Sequence, residues 1–206
     1  MNYFITAIGT DSGKTIVSAI VTEALQADYW KPIQAGKEER DCEKVDRLLT
    51  NDYSIVHEEQ FLLSTPASPH FAAEVDGVEI KVEDLILPET TNNLVIEGAG
   101  GVLVPINNKG EFIIEIASKF DCEIILVANL YLGSINHTIL TINELKARKA
   151  KVKGIVFNGI RNPSSEDYIL NYSGYKCLLK IDKHETFNQE LLRKYAIDLM
   201  YNFRDE

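Results

Sequence analysis

Short apolar runs rich in β-branched and aromatic residues recur along the chain at 3–7, 29–33, 93–96, 123–128, 153–157 and 176–181, and each reads as a buried strand. Between several of them the apolar spacing becomes helical. Ile16, Ile20, Val21 and Leu25 follow the first run, Ile135, Ile139, Ile142 and Leu145 precede Lys149, and Phe187, Leu191, Leu192, Tyr195 and Leu199 mark a terminal helix over 187–203. Strands that alternate with helices require crossover connections, so the pattern predicts an α/β fold of three αβα layers around a mostly parallel sheet. No repeat, low-complexity tract or linker divides the chain, and 1–206 reads as one domain. The least regular stretch is 51–91, which carries Thr65-Pro66-Ala67-Ser68-Pro69-His70. So long a polar connection reads as the lid or substrate side of a site.

Composition narrows the partners. A formal charge of −10 over 206 residues repels phosphodiester backbones, so nucleic acid is not expected to bind. A nucleotide remains compatible, because a local nest of amides and lysines outweighs distant screened charge. Cys42, Cys122 and Cys177 are too scattered for a zinc site and read as reduced thiols. The N-terminal residues have no basic region followed by a long apolar stretch, so neither a secretion signal nor a membrane span is expected, and the cytoplasm follows. The terminal helix is amphipathic, but its polar face is not strongly basic and Asp198, Asp205 and Glu206 oppose anionic lipid, so it is expected to cover the sheet.

The strand at 3–7, the turn Gly9-Thr10-Asp11-Ser12-Gly13 and the helix opening at Lys14-Thr15-Ile16 together form the context of a phosphate-binding P-loop. Glycine lets successive N–H groups curl around phosphate oxygens, lysine reaches the terminal phosphates, and the threonine hydroxyl meets magnesium. Three residues intervene between Gly9 and Gly13 where the standard pattern has four. A second strand offers Glu97 before Gly98-Ala99-Gly100-Gly101, either as a magnesium carboxylate followed by bare amides or as a tight turn. In Trp30-Lys31-Pro32-Ile33, Lys31 ends a strand, either as a solvated charge or as a cation that stabilises a transition state.

With these segments the sequence resembles the dethiobiotin synthetase family along most of its length. The motifs are 7–15 as the loop, Lys31-Pro32-Ile33-Gln34-Ala35-Gly36, Pro66-Ala67-Ser68-Pro69-His70, Glu97 with its glycines, Leu132-Gly133-Ser134-Ile135-Asn136-His137, and Asn158 on the base side. Each string is modest and their ordered combination is specific. The resemblance implies a P-loop NTPase-type domain that uses ATP and Mg2+ to close the ureido ring of dethiobiotin from 7,8-diaminopelargonate and CO2. A carbamate attacks the γ-phosphate, and the second amine then displaces phosphate from the resulting anhydride. Positioning and charge neutralisation supply such catalysis.

By the same resemblance Lys14 and Lys31 are catalytic, bridging phosphates and carbamate. Asp11, Ser12, Gly13, Lys14, Thr15, Ile16, Asp41, Glu97, Gly98, Ala99, Gly100 and Asn158 bind the nucleotide with its metal, which Thr15, Asp41 and Glu97 hold; Asp46 is the alternative to Asp41. Thr10, Gln34, Ala35, Leu132 and Asn136 bind the substrate, the last two across a homodimer interface, and 181–183 lies near the adenine. Three positions depart from the family. Ala7 stands for the first loop glycine, which requires that its φ not be positive. Asp11 stands for a glutamate, and Ala35 for a serine or threonine, so that contact is lost, made by backbone or taken over by Gln34. His57, His70, His137 and His184 have no partner at catalytic spacing and are not assigned. The competing readings are a partition or septum-positioning ATPase switch and a related amidoligase domain.

Overall fold

Alternate residues of each apolar run point to opposite faces of one sheet. The computed structural model describes residues 1–203, which leaves Asp205 and Glu206 outside the described residues. In chain order the elements are β1 (Asn2–Ala7), α1 (Lys14–Leu25), β2 (Asp28–Trp30), β3 (Ile33–Ala35), α2 (Asp41–Leu48), β4 (Val56–His57), β5 (Phe61–Leu63) and α3 (Pro69–Asp76). A 3-10 turn at Val82–Asp84 leads to β6 (Leu94–Gly101), α4 (Glu115–Lys119), β7 (Glu123–Leu130), α5 (Ser134–Ala147), β8 (Val152–Gly159), α6 (Pro163–Ser173), β9 (Cys177–Ile181) and α7 (Gln189–Phe203).

Seven strands pair in the order β4-β2-β6-β1-β7-β8-β9, and every pair is parallel. Strand pleating separates two cores. Tyr3, Ile5, Tyr29, Val95, Ile125 and Val127 pack with α1, α2 and α7, whereas Phe4, Trp30, Leu94, Ile96, Ile124 and Leu126 pack with α4, α5 and α6. The three-layer arrangement expected from the sequence is therefore present. In α7, Leu192, Tyr195, Leu199 and Phe203 are buried in the first core, so the helix covers the sheet.

Several boundaries differ from the sequence pattern for local reasons. The run at 29–33 is two strands rather than one. Pro32 has no N–H to continue a ladder, Lys31 turns toward two carboxylates, and β3 leaves the main sheet to pair with β5. The strand at 93–96 continues to Gly101, with a register shift against β1 between Ile5 and Ala7. The irregular stretch contains β4, β5 and α3, since two- and three-residue strands are too short to show a period. Chain order reverses about β1. The carboxyl ends of β1, β2 and β6 thus open on one crevice, where ligands bind in such sheets.

Candidate active site

The loop after β1 turns on two left-handed residues, Asp11 at φ 55° and Gly13 at φ 94°. A side chain at Gly13 would bring its Cβ to 2.3 Å from Asn158 Nδ2. Only glycine fits there, and α1 can begin at once on Lys14. The first N–H groups of a helix have no intrahelical partner, so Lys14, Thr15 and Ile16 present donors to the crevice. Ala7 is not among the residues with positive φ, and the missing loop glycine is therefore tolerated without strain. Ser12 is buried, its hydroxyl donating to Asn129 Oδ1 at 2.9 Å and Gly9 O at 3.1 Å.

Beside this loop lies a cluster of buried charge. Lys31 Nζ is 2.5 Å from Asp41 Oδ2 and 3.1 Å from Glu97 Oε1. The Thr15 hydroxyl is 2.8 Å from Asp41 Oδ1 and 3.0 Å from Glu97 Oε1, and the Tyr29 hydroxyl donates to Glu97 Oε2 at 3.0 Å. Lys14 Nζ folds back on Gly9 O at 3.2 Å. The groups come from four places in the fold: Lys14 and Thr15 open α1, Tyr29 lies in β2 with Lys31 just beyond its end, Asp41 begins α2, and Glu97 lies in β6.

Electrostatics follows from burial and pairing. Burial is the largest influence on Lys14 and lowers its pKa; Glu97 opposes that lowering and Lys31 adds to it. Burial also pulls Lys31 down, but Glu97 and Asp41 outweigh it and hold the ammonium above the ordinary lysine range. Burial pushes Asp41 up, yet Lys31 and the Thr15 hydrogen bond leave it below the usual carboxylate range. Tyr29 is raised well above its ordinary value, by burial first and then by the charge on Glu97. Lys31 and Asp41 are therefore an ion pair, and Tyr29 is a neutral donor.

Lys14, Thr15, Lys31, Asp41 and Glu97, but not Tyr29, line a cavity of about 750 Å³. Thr10, Asp11, Gly13, Lys14, Thr15, Ile16, Lys31, Gln34, Ala35, Asp41, Glu97, Ala99 and Gly100 all reach it, joined by 66–69 from the proline-rich stretch. Gln34 Nε2 donates to the carbonyls of Ala35 and Gly36 at 3.2 and 3.3 Å, and among the described residues Gln34 Oε1 is buried without a partner. Other expected residues are not in the wall. Gly98 lies between two wall residues, and a Cβ there would meet Phe4 Cζ at 2.9 Å, so its lack of a side chain serves sheet packing. Asn158 stands behind the loop, its Nδ2 donating to Ser12 O at 2.9 Å, and pairs in register with Ile181, so the segment after β9 adjoins it. Leu132 and Asn136 are exposed at the start of α5 and are not in the wall of their own chain's cavity. Asp46 lies on the exposed side of α2.

Sequence reasoning missed Tyr29, which looks like any strand aromatic, and the cavity residues Glu39 and Lys44 around the first turn of α2. Lys44 is one helical turn beyond Asp41, a spacing that could have marked it. The histidines stay outside the cavity wall: His57 meets Asp28, His137 meets Tyr131, and His184 meets Tyr195, while His70 Nδ1 is a buried atom without a partner among the described residues. Cys42, Cys122 and Cys177 are free thiols.

The donor set suits magnesium. Thr15 Oγ1, Asp41 Oδ1 and Glu97 Oε1 are all hard oxygens converging beside the phosphate loop. Among the described residues no three His, Cys, Asp or Glu side chains could hold a metal by themselves. A site of two carboxylates and a hydroxyl matches magnesium, which takes few protein ligands and completes its shell with phosphate oxygens and water.

Comparison with known proteins places this geometry in context. Residues 1–190 match the model of a family described as an AAA domain. The chain is 55% identical over 202 residues to the ATP-dependent dethiobiotin synthetase BioD of Cytophaga hutchinsonii, covering 98% of each protein. It is 48% identical to the protein of that name from Christiangramia forsetii, covering 95% of this chain and 94% of the relative. Among solved structures, a plasmid partition protein of Borrelia burgdorferi bound to AMPPNP superposes with a TM-score of 0.57 at 13% identity, covering 98% of this chain and 97% of the other. The septum site-determining protein MinD of Pyrococcus horikoshii, complexed with Mg-ADP, gives 0.53 at 15% identity, covering 98% and 93%. At such identities these two establish the fold alone.

Proposed function

This chain belongs to the ATP-dependent dethiobiotin synthetase family, and from that membership we propose that its cleft closes the ureido ring of dethiobiotin from 7,8-diaminopelargonate, CO2 and ATP, releasing ADP and phosphate. The observation that carries the reading at the site is Lys31, a second buried cation beside the P-loop lysine, anchored between Asp41 and Glu97. A loop that only binds nucleotide has no need of it. A reaction that builds negative charge on a carbamate and a moving phosphoryl group does.

In this reading the amides of 13–16 and the Lys14 ammonium hold the triphosphate. Lys14 leaves the Gly9 carbonyl to do so, and its lowered pKa reflects a burial that anionic oxygens would relieve. Lys31 offsets charge on the carbamate side. Thr15, Asp41 and Glu97 would hold Mg2+, which when bound neutralises phosphate charge and orients the terminal phosphate. Thr10, Gln34 and Ala35 face the diamine. The unpartnered Oε1 of Gln34 supports a contact to a substrate amine in place of the hydroxyl that Ala35 lacks. Asn158 and the segment after β9 adjoin the loop on the side proposed for adenine.

The exposed Leu132 and Asn136, at a helix start outside the wall of their own cavity, support a homodimer in which each protomer completes its neighbour's substrate site. Among the described residues no helix is long and apolar enough to cross a membrane. A cytoplasmic enzyme of one domain, with neither nucleic acid nor membrane as partner, fits the acidic surface and free thiols. ADP release followed while diamine or bicarbonate is omitted in turn tests the proposal. Turnover that depends on both supports it. Turnover indifferent to both would favour a nucleotide switch of the partition kind.

A further inference from the structure

The two oxygens of Glu97 meet different surroundings. Oε1 accepts from the Thr15 hydroxyl at 3.0 Å and the Lys31 ammonium at 3.1 Å, both groups of the cavity wall. Oε2 accepts only from Tyr29, at 3.0 Å, among the described residues. Tyr29 is fully buried and packs in the apolar layer shared with α1 and α2, while its neighbour Trp30 turns into the opposite core. Val95, two residues before Glu97 on β6, lies in the same layer as Tyr29, so Tyr29 and Glu97 share one face of the sheet, and Lys31 reaches Glu97 from just beyond the end of β2.

The terminal torsion of a glutamate is broad and nearly two-fold, and packing alone does not fix which oxygen faces the site. Thr15 and Lys31 have other anionic partners to turn to once the cleft is loaded. Among the described residues the Tyr29 hydroxyl hydrogen-bonds only Glu97, and its ring packs among apolar side chains. We propose that Tyr29 is a positioning residue, holding Glu97 Oε2 so that Oε1 stays presented to Thr15, Lys31 and the metal. The proposal rests on the reading of Glu97 as a magnesium ligand, and it assigns a part in metal binding to a side chain that never reaches the cavity.

Tyr29→Phe keeps the ring and deletes the single donor. Binding of a non-hydrolysable ATP analogue is measured by titration in EDTA and across a magnesium series, for wild type, Tyr29→Phe, Glu97→Gln and the double variant, with melting temperatures alongside. Tyr29→Phe is expected to bind the analogue as wild type does in EDTA but to require about tenfold more magnesium for the coupled gain in affinity. Glu97→Gln loses that gain, and adding Tyr29→Phe to it changes nothing further. If Tyr29→Phe keeps the full magnesium gain while Glu97→Gln loses it, or loses affinity equally with and without magnesium, Tyr29 only packs and the positioning role is overturned. Independent losses in the double variant would overturn it too. If Glu97→Gln itself keeps the gain, the metal reading of Glu97 fails first and the inference falls with it.

Discussion

Lys31 lies 2.5 Å from Asp41 and 3.1 Å from Glu97 with 7% of its side chain exposed. Removing one member of a buried charged set strands the others, at about 3–5 kcal/mol. Lys31→Ala therefore melts at a lower temperature yet retains the far-ultraviolet circular dichroism of the fold. Magnesium without nucleotide raises its melting temperature more than that of wild type, because the freed carboxylates repel each other until a cation joins them. Lys14→Ala and Lys31→Ala each reduce product formation by at least about 100-fold, and normal turnover in either would remove its assigned role. Gly13 carries a different constraint. Its φ of 94° and the 2.3 Å approach of Asn158 Nδ2 exclude a side chain, so Gly13→Ala weakens ATP binding by about tenfold or more in a titration.

At the scale of elements, β1, its loop and α1 were legible in the sequence because strand, glycine turn and helical period follow without a gap, which also placed Lys14 and Thr15. Glu97 and Lys31 were legible as charges after apolar runs. The break between β2 and β3 was hidden, since Tyr29 to Ile33 is one apolar run interrupted only by Lys31-Pro32, and its cause is a tertiary contact. Tyr29 could not be told from a core aromatic, because its function lies in one hydroxyl contact with a residue 68 positions away. Gly98 reads as part of a ligand-binding turn, and its lack of a side chain also makes room for Phe4.

Helix α6 carries its own electrostatic staple. Glu166 is buried, bonded by Arg161 at 2.8 and 2.9 Å and by Lys180 of β9 at 2.9 Å. The Arg161 hydrogen bonds first, with Lys180 and the Asn162 amide, outweigh burial and lower its pKa to about 2. A depressed carboxylate stabilises the fold above its unfolded pKa of 4.5 and loses that contribution as pH falls toward 2. Glu166→Gln is accordingly expected to lose about 2 kcal/mol at pH 7 by denaturant titration, with the gap to wild type narrowing below pH 4.5. A gap independent of pH would contradict the ion-pair account.

For the whole molecule, the cavity gathers residues from the ends of β1, β2 and β6 together with the proline-rich connection, while Leu132 and Asn136 face outward. Sedimentation is expected to give twice the 23.2 kDa chain mass. Leu132→Glu yields monomer and raises the KM for the diamine, whereas a wild-type monomer of full activity would exclude a shared site. Solved partition and septum-positioning proteins share this fold, so ATP turnover alone does not separate the enzyme from a nucleotide switch, and the fate of carbon does. Labelled bicarbonate is supplied with ATP, magnesium and 7,8-diaminopelargonate, and acid-stable label is sought in a cyclic urea. The account predicts one labelled ring for each ADP released in wild type and none in Lys31→Ala. ATP consumption that leaves the label acid-volatile, or an equal yield from Lys31→Ala, would contradict it.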